Sequence, residues 1–178
     1  MENIWTDKKF ISARERVIKK NAQVELASVH SVSKGYYTEC GFRGGYLELH
    51  NFDYEVNLEL LKLVSIALCS SVDSQAMMGL VVNPPKPGDP SYELFQKERS
   101  YVMGTMSKNS DMIYDVANSM TGVKCNRIEG AMYAFPELFL PEKFKKEAEG
   151  KGMLPDAHYC MEALEEKGCM FVPGSGFG

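Results

Sequence analysis

Apolar positions along this chain follow two periods. Phe10, Ala13, Val17 and Ile18 fall close to helical spacing in an otherwise charged stretch and predict a helix over residues 6–20. Its basic side chains, Lys8, Lys9, Arg14, Arg16, Lys19 and Lys20, read as a solvated helix face rather than a dock for an acidic partner. Val24 to His30 then reads as a strand. A second strand follows from Tyr46 to His50, where Tyr46, Glu48 and His50 alternate with Leu47 and Leu49. The polar stretch Ser31-Val32-Ser33-Lys34-Gly35 and the turn Gly41-Phe42-Arg43-Gly44-Gly45 lie between them.

Helical spacing returns at Leu58, Leu61, Val64 and Ser65 and runs to about Cys69. Another helix is expected from near Gln75 to the breaker Asn83-Pro84-Pro85-Lys86-Pro87-Gly88-Asp89-Pro90. Ser91 to about Asn118 reads as one long helix, with Leu94, Phe95, Tyr101, Val102 and Met106 on or near one face. In the last third, Ala131 to Phe135 is a short strand candidate and Pro141 can open a helix at its first position. Asp156 can cap a helix that closes at Gly168, and Cys169 to Val172 is again strand-like. Strands and helices mixed in this way, without internal repeats, suggest an α/β or α+β architecture.

Composition narrows the partners. At 178 residues, 44% of them hydrophobic and 25% charged, the chain can bury a sizeable core. A net charge of −4 and a pI near 5.5 argue against general affinity for nucleic acid or anionic membrane. No apolar run reaches the roughly 20 residues that span a bilayer, and Met1 to Trp5 lacks the layout of a secretory signal. The odd set Cys40, Cys69, Cys125, Cys160 and Cys169, with no CxxC pair, is expected as free thiols in a reducing compartment. Intracellular placement is therefore expected, with the cytoplasm preferred over the mitochondrion. His30, His50 and His158 show no ligand spacing with cysteine or carboxylate, so no metal is expected. Gly174-Ser175-Gly176-Phe177-Gly178 reads as an ordinary loop, since no helix follows it to complete a phosphate cradle.

Lys34 is the residue the chemistry singles out. A lysine just past a strand, between small residues, can project its amine into a cleft at a sheet edge, as Schiff-base chemistry requires. Ser31 and Ser33 offer hydroxyls nearby, and the planar fork of Arg43 suits a dianionic phosphate. Taken alone, this set only nominates a site, because most lysines after strands are solvated.

The segment His30-Ser31-Val32-Ser33-Lys34-Gly35-Tyr36, followed by Glu39-Cys40-Gly41-Phe42-Arg43-Gly44-Gly45-Tyr46, closely resembles the cofactor-lysine region of the alanine aminotransferases. These are class-I, fold-type-I enzymes that use pyridoxal 5'-phosphate. Further resemblances follow in family order. They are Pro84-Pro85 with Asp89-Pro90-Ser91-Tyr92, then Gly130-Ala131-Met132-Tyr133-Ala134-Phe135-Pro136, then Val172-Pro173-Gly174-Ser175-Gly176-Phe177-Gly178.

By this resemblance Lys34 is the Schiff-base lysine, which also carries the proton between the substrate Cα and the cofactor. Ser31, Ser33 and Arg43 are the cofactor-binding residues, with Ser31 and Arg43 on the phosphate. The implied reaction is ping-pong transfer from L-alanine to 2-oxoglutarate. The implied partners are amino-acid and 2-oxo-acid substrates and, in the full-length form, a second copy. Residues 1–104 would complete the large cofactor-binding domain and residues 105–178 would form most of the small α+β domain, bridged by the helix of residues 91–118. Met1 to Trp5 resembles the stretch just after the family's Asp-x-x-Tyr motif. The aspartate for the pyridine nitrogen is therefore expected upstream, and the arginine for the substrate carboxylate beyond Gly178. The chain is thus expected to be a C-terminal portion with exposed apolar surface, inactive alone. A catalytically dead interaction module and another class-I transaminase are the alternatives. Cys69-Ser70-Ser71-Val72-Asp73-Ser74-Gln75 departs from the family's Cys-Pro-Pro-x-x-Gly-Gln.

Overall fold

The computed structural model describes residues 3–178, so the reading of Met1 and Glu2 lies outside the described residues. The chain divides into two compact units, Met1–Ile113 with Arg127–Ala134, and Tyr114–Asn126 with Phe135–Gly178.

In the first unit, residues 3–5 lie extended beside residues 129–131. The Trp5 amide donates to Glu129 O at 2.9 Å, and Ala131 N donates to Asn3 O at 2.8 Å. Helix α1, Ala13–Lys19, is shorter than the 6–20 expected. The Ser12 hydroxyl accepts the Glu15 amide at 3.0 Å, and an N-cap side chain sets a helix start more firmly than apolar spacing does. Strands β1 (Leu26–Ser31) and β2 (Gly45–His50) pair antiparallel, with Ser31 opposite Gly45 and Leu26 opposite His50. Only glycine fits at position 45, since a Cβ there would lie 2.4 Å from His30 O. This hairpin is a two-stranded sheet, so each strand keeps one edge without a ladder partner among the described residues.

Helix α2, Tyr54–Ile66, begins before Leu58 and stops short of Cys69, and none of its residues is buried. Its apolar residues are exposed around its girth, Leu63 at 64% and Ile66 at 77%. Helix α3, Val72–Val82, starts earlier than Gln75 because the Ser71 hydroxyl accepts the Ser74 amide at 3.1 Å. It ends at Asn83, where Pro84 disfavours a further turn. Helix α4 spans Tyr92–Ser119, as its spacing predicts.

The second unit closes largely on itself. The Asn118 side chain donates to Cys125 O and accepts from Cys125 N, each at 3.0 Å, which seals the turn after α4. Strand β3 (Val123–Lys124) pairs antiparallel with β4 (Glu137–Leu138). Helices α5 (Glu142–Gly150) and α6 (Pro155–Lys167) pack through Ala148, fully buried, and His158, 2% exposed, which stacks on Phe144 at 4.8 Å.

Four expectations here need correction. Ala131 to Phe135 is not a strand, because Ala131 sits at φ 62° and only Gly130 bridges to Ile4. Cys169 to Val172 forms no strand and has no ladder partner among the described residues. Pro141 is the N-cap of α5 rather than its first residue. Leu154, not Asp156, holds the N-cap position of α6, while Gly168 closes that helix at φ 67° as expected.

Among the described residues the buried apolar side chains are few, namely Val32, Ala117, Cys125 and Ala148. The chain leaves 13541 Å² accessible. A globular protein of its mass would expose about 8,700 Å², and two separately folded units roughly 10,300 Å². The expected exposure of apolar surface is therefore present, and helix α2 and the hairpin contribute to it.

Candidate functional site

The loop from Val32 to Gly44 connects β1 to β2 and carries three of the four nominated residues, with Ser31 at its base. That base is tightly made. Val32, with no exposed surface, donates its amide to Gly44 O at 3.1 Å and accepts the Glu39 amide at 2.9 Å. The buried Ser74 of α3 donates its hydroxyl to Phe42 O and meets the Ser71 hydroxyl at 2.6 Å. Helix α3 thereby fixes the 3-10 turn Cys40–Phe42 that leads into Arg43.

Ser31 and Ser33 come together directly. Their hydroxyls lie 3.0 Å apart, and the Ser33 amide donates to Ser31 Oγ at 3.1 Å, a local turn that serine favours. The Ser31 hydroxyl also reaches Gly44 O at 3.5 Å, at the edge of hydrogen-bond range. Gly44 is the chain neighbour of Arg43, so the hairpin base brings serines and arginine into one region. Arg43 adopts a left-handed conformation (φ 53°), and among the described residues its exposed guanidinium reaches only Cys40 O, at 3.3 Å. Most of its donors therefore remain available. Lys34 is exposed, and its amine makes no hydrogen bond or ion pair among the described residues.

The four residues share a loop without sharing an enclosed pocket. An open depression of about 490 Å³ beside α3 is lined by Arg43 together with Glu39, Ser71 and Asp73, but not by Lys34, Ser31 or Ser33. Among the described residues several buried polar atoms in this unit lack partners, namely His30 Nδ1, Tyr37 Oη, Arg99 Nε and both side-chain polar atoms of Asn3. Burial pushes the Tyr37 hydroxyl pKa up, its neighbour Tyr36 adds to that, and Arg99 pulls the other way. Buried polar groups in complete structures are nearly always satisfied.

Sequence reasoning missed Val32 and Ser74, which hold the loop's shape. Ser71-Val72-Asp73-Ser74 carries a capping signal, but nothing local reveals that Ser74 reaches Phe42, 32 positions back. No cluster of histidine, cysteine and carboxylate suited to a metal is present among the described residues. No helix of the described residues is long and apolar enough to cross a membrane.

No protein-family model matches the chain. Curated relatives do. An alanine aminotransferase 2-like protein of Danio rerio is 51% identical over 88% of this chain, which covers 28% of that protein. A Saccharomyces cerevisiae protein named inactive alanine aminotransferase is 44% identical over 99% of this chain, covering 36% of its own length. The solved alanine aminotransferase of Pyrococcus furiosus superposes with a TM-score of 0.76 at 22% identity, over all of this chain and 39% of that one. That likeness shows the fold, the fold-type-I aminotransferase architecture. The chain spans about a third of the length of the curated relatives it matches.

Proposed function

Because this chain is a homologue of the alanine aminotransferases, matched over 88% of its length or more, we propose that it carries the lysine-bearing part of a pyridoxal-phosphate transamination site. The observation that carries this reading is the hairpin loop itself. It holds two serine hydroxyls 3.0 Å apart, a guanidinium with donors to spare, and an exposed lysine whose amine has no partner among the described residues. That donor set suits a dianionic phosphate, and an exposed lysine suits imine formation with an aldehyde. The residues present fit the cofactor.

When bound, the cofactor supplies an electron sink for the carbanion formed at the amino-acid Cα. The chain's own residues do the rest. Ser31 and Arg43 hold the phosphate and Ser33 binds the cofactor beside them, with the base of the hairpin keeping them in register. Lys34 anchors the cofactor through Nζ and, once displaced by substrate, takes the proton from the substrate Cα. The exchange runs between L-alanine with 2-oxoglutarate and pyruvate with L-glutamate. Residues 1–104 belong to the cofactor-binding domain and residues 105–178 to the small domain. The exposed faces of α2 and the hairpin are covered by the rest of a complete aminotransferase, which works as a homodimer.

The test is to incubate the chain with pyridoxal phosphate, reduce with borohydride and map the adduct by peptide mass spectrometry. Adduct confined to Lys34 is the expected result, with Lys34→Ala abolishing it. Label spread over surface lysines would sink the assignment. A second reading is that this chain is a catalytically dead homologue, which the name of the Saccharomyces cerevisiae relative favours. Adduct at Lys34 without alanine-dependent release of the cofactor as its amine form, in an assembled dimer, would select that reading.

A further inference from the structure

Asp156 joins two segments 19 positions apart. It follows Pro155 in the first turn of α6. One carboxylate oxygen accepts the Ala157 amide at 2.9 Å and the other accepts the Ser175 amide at 2.7 Å. The same short turn, Gly174–Phe177, is held a second time where Phe177 meets Phe135 edge-on at 5.9 Å. We propose that Asp156 is a positioning residue: while ionised, its carboxylate latches the Gly174–Phe177 turn onto the N-terminus of α6, and protonation releases it.

The physical basis is local. Asp156 sits where unpaired helix amides and the helix dipole favour negative charge. Backbone donors stabilise the ionised form, and a carboxylic acid is a poorer acceptor for them. The Ser175 amide is the chief reason the carboxyl titrates below its usual range. Partial burial opposes this, and the Ser175 side chain and the Ala157 amide assist. No cation competes for the carboxylate in an ion pair among the described residues. The turn carries no titratable side chain, and neither does Phe135. On α6 itself the Cys160 thiol is pushed up by burial first and by the Asp156 charge second. From α5, Phe144 packs on His158 and Tyr159, while Glu147 engages Lys151 and His158.

The latch stands on these contacts. Its purpose, holding the Val172–Gly178 segment of a transaminase in place, rests on the function proposed above.

The test follows the Ser175 amide by nuclear magnetic resonance in the isotope-labelled 178-residue chain, with Asp156→Asn and Asp156→Ala beside it. In the parent chain the Ser175 amide proton should shift as pH falls, with a midpoint below the ordinary aspartate range. In both variants the acid titration should vanish, and exchange at Ser175 should quicken roughly tenfold or more, the factor expected for one charge-assisted hydrogen bond. Amides of residues 158–164 report whether α6 persists. Should either variant unfold α6, the parent titration alone decides. A Ser175 amide that ignores pH, or titrates equally in Asp156→Asn, overturns the latch. Pyridoxyl labelling of Lys34 is read on the same samples. Failure of labelling in the parent chain counts against the aminotransferase reading and leaves the latch intact. Loss of the Ser175 response alone does the reverse.

Discussion

Helices α2 and α6 are each 13 residues long, yet they meet opposite fates. Helix α2 is rich in leucine, valine and isoleucine around its whole girth, and none of it is buried. Helix α6 carries fewer apolar residues, yet it buries His158 against Phe144 and faces the fully buried Ala148 of α5. A helix apolar on all sides belongs inside a core, whereas one with a single apolar face needs only one neighbour. The difference between the two regions is therefore one of how much partner each sequence was built to require. The second unit supplies its own, through the Asn118–Cys125 seal, the α5–α6 contact and the Asp156 latch. The first unit, with a two-stranded sheet and an α2 that buries none of its residues, does not.

The largest expected effect tests that contrast directly. In the isolated chain, amides of residues 54–66 should exchange orders of magnitude faster than those of residues 156–167, because helix propensity without packing is marginal at this length. Limited proteolysis should cut within residues 52–82 before it cuts within residues 142–167. Equal protection of α2 and α6 would mean that α2 is already covered, by self-association or otherwise, and sedimentation across a concentration series would show which.

A pair of substitutions sharpens the comparison. Ala148→Leu inserts a branched side chain where no surface is exposed and should destabilise α5–α6 by about 1–3 kcal/mol. Leu63→Ser, at a position 64% exposed, should change stability by less than about 0.5 kcal/mol in the isolated chain. In a complete dimeric enzyme the proposed function reverses the second result, since the same leucine would then be buried. Thermal melts of both variants in both forms provide the measurement, and a silent Leu63→Ser in the complete enzyme would break the proposed cover.

The same contrast explains what could be read from the residues alone. The hairpin was legible because Tyr46, Glu48 and His50 alternate against Leu47 and Leu49, and α4 because its spacing persists over many turns. Helix starts were displaced where Ser12 and Ser71 cap, since one side-chain hydrogen bond outweighs the position of the first apolar residue. The strands expected at residues 131–135 and 169–172 failed for another reason. A strand is a relation between two segments, and extended, apolar residues do not carry the identity of their partner. At the site, Ser31, Ser33, Lys34 and Arg43 were named through resemblance to a family rather than through geometry. The contacts that shape their loop, Val32 with Gly44 and Ser74 with Phe42, link positions too distant in sequence for any local pattern to mark.

The smallest effects compare two ion pairs. In α2, Lys62 lies 2.6 Å from Glu59, with both side chains about two-thirds exposed. Pairs of this kind contribute little, so Lys62→Ala should alter stability by less than about 0.5 kcal/mol. Lys151 instead lies 2.9 Å from Glu147 and 3.6 Å from Glu162, and both glutamates also approach the buried His158. Its hydrogen bond holds the Glu147 carboxyl below its usual range, chiefly through Lys151 itself, and the Lys151 ammonium is raised, chiefly by Glu147. The signs then follow from linkage. Glu147 contributes stability above its unfolded pKa and loses it as pH falls through the lower folded value. Lys151 contributes below its unfolded pKa and loses it as pH rises through the higher folded value. Protection of α6 amides should therefore decline at both extremes, and Lys151→Ala should flatten both declines while Lys62→Ala leaves them unchanged. Identical pH profiles for the two variants would mean that the α5–α6 network is no more than another solvated pair, and that the packing of Phe144, Ala148 and His158 alone separates the two regions.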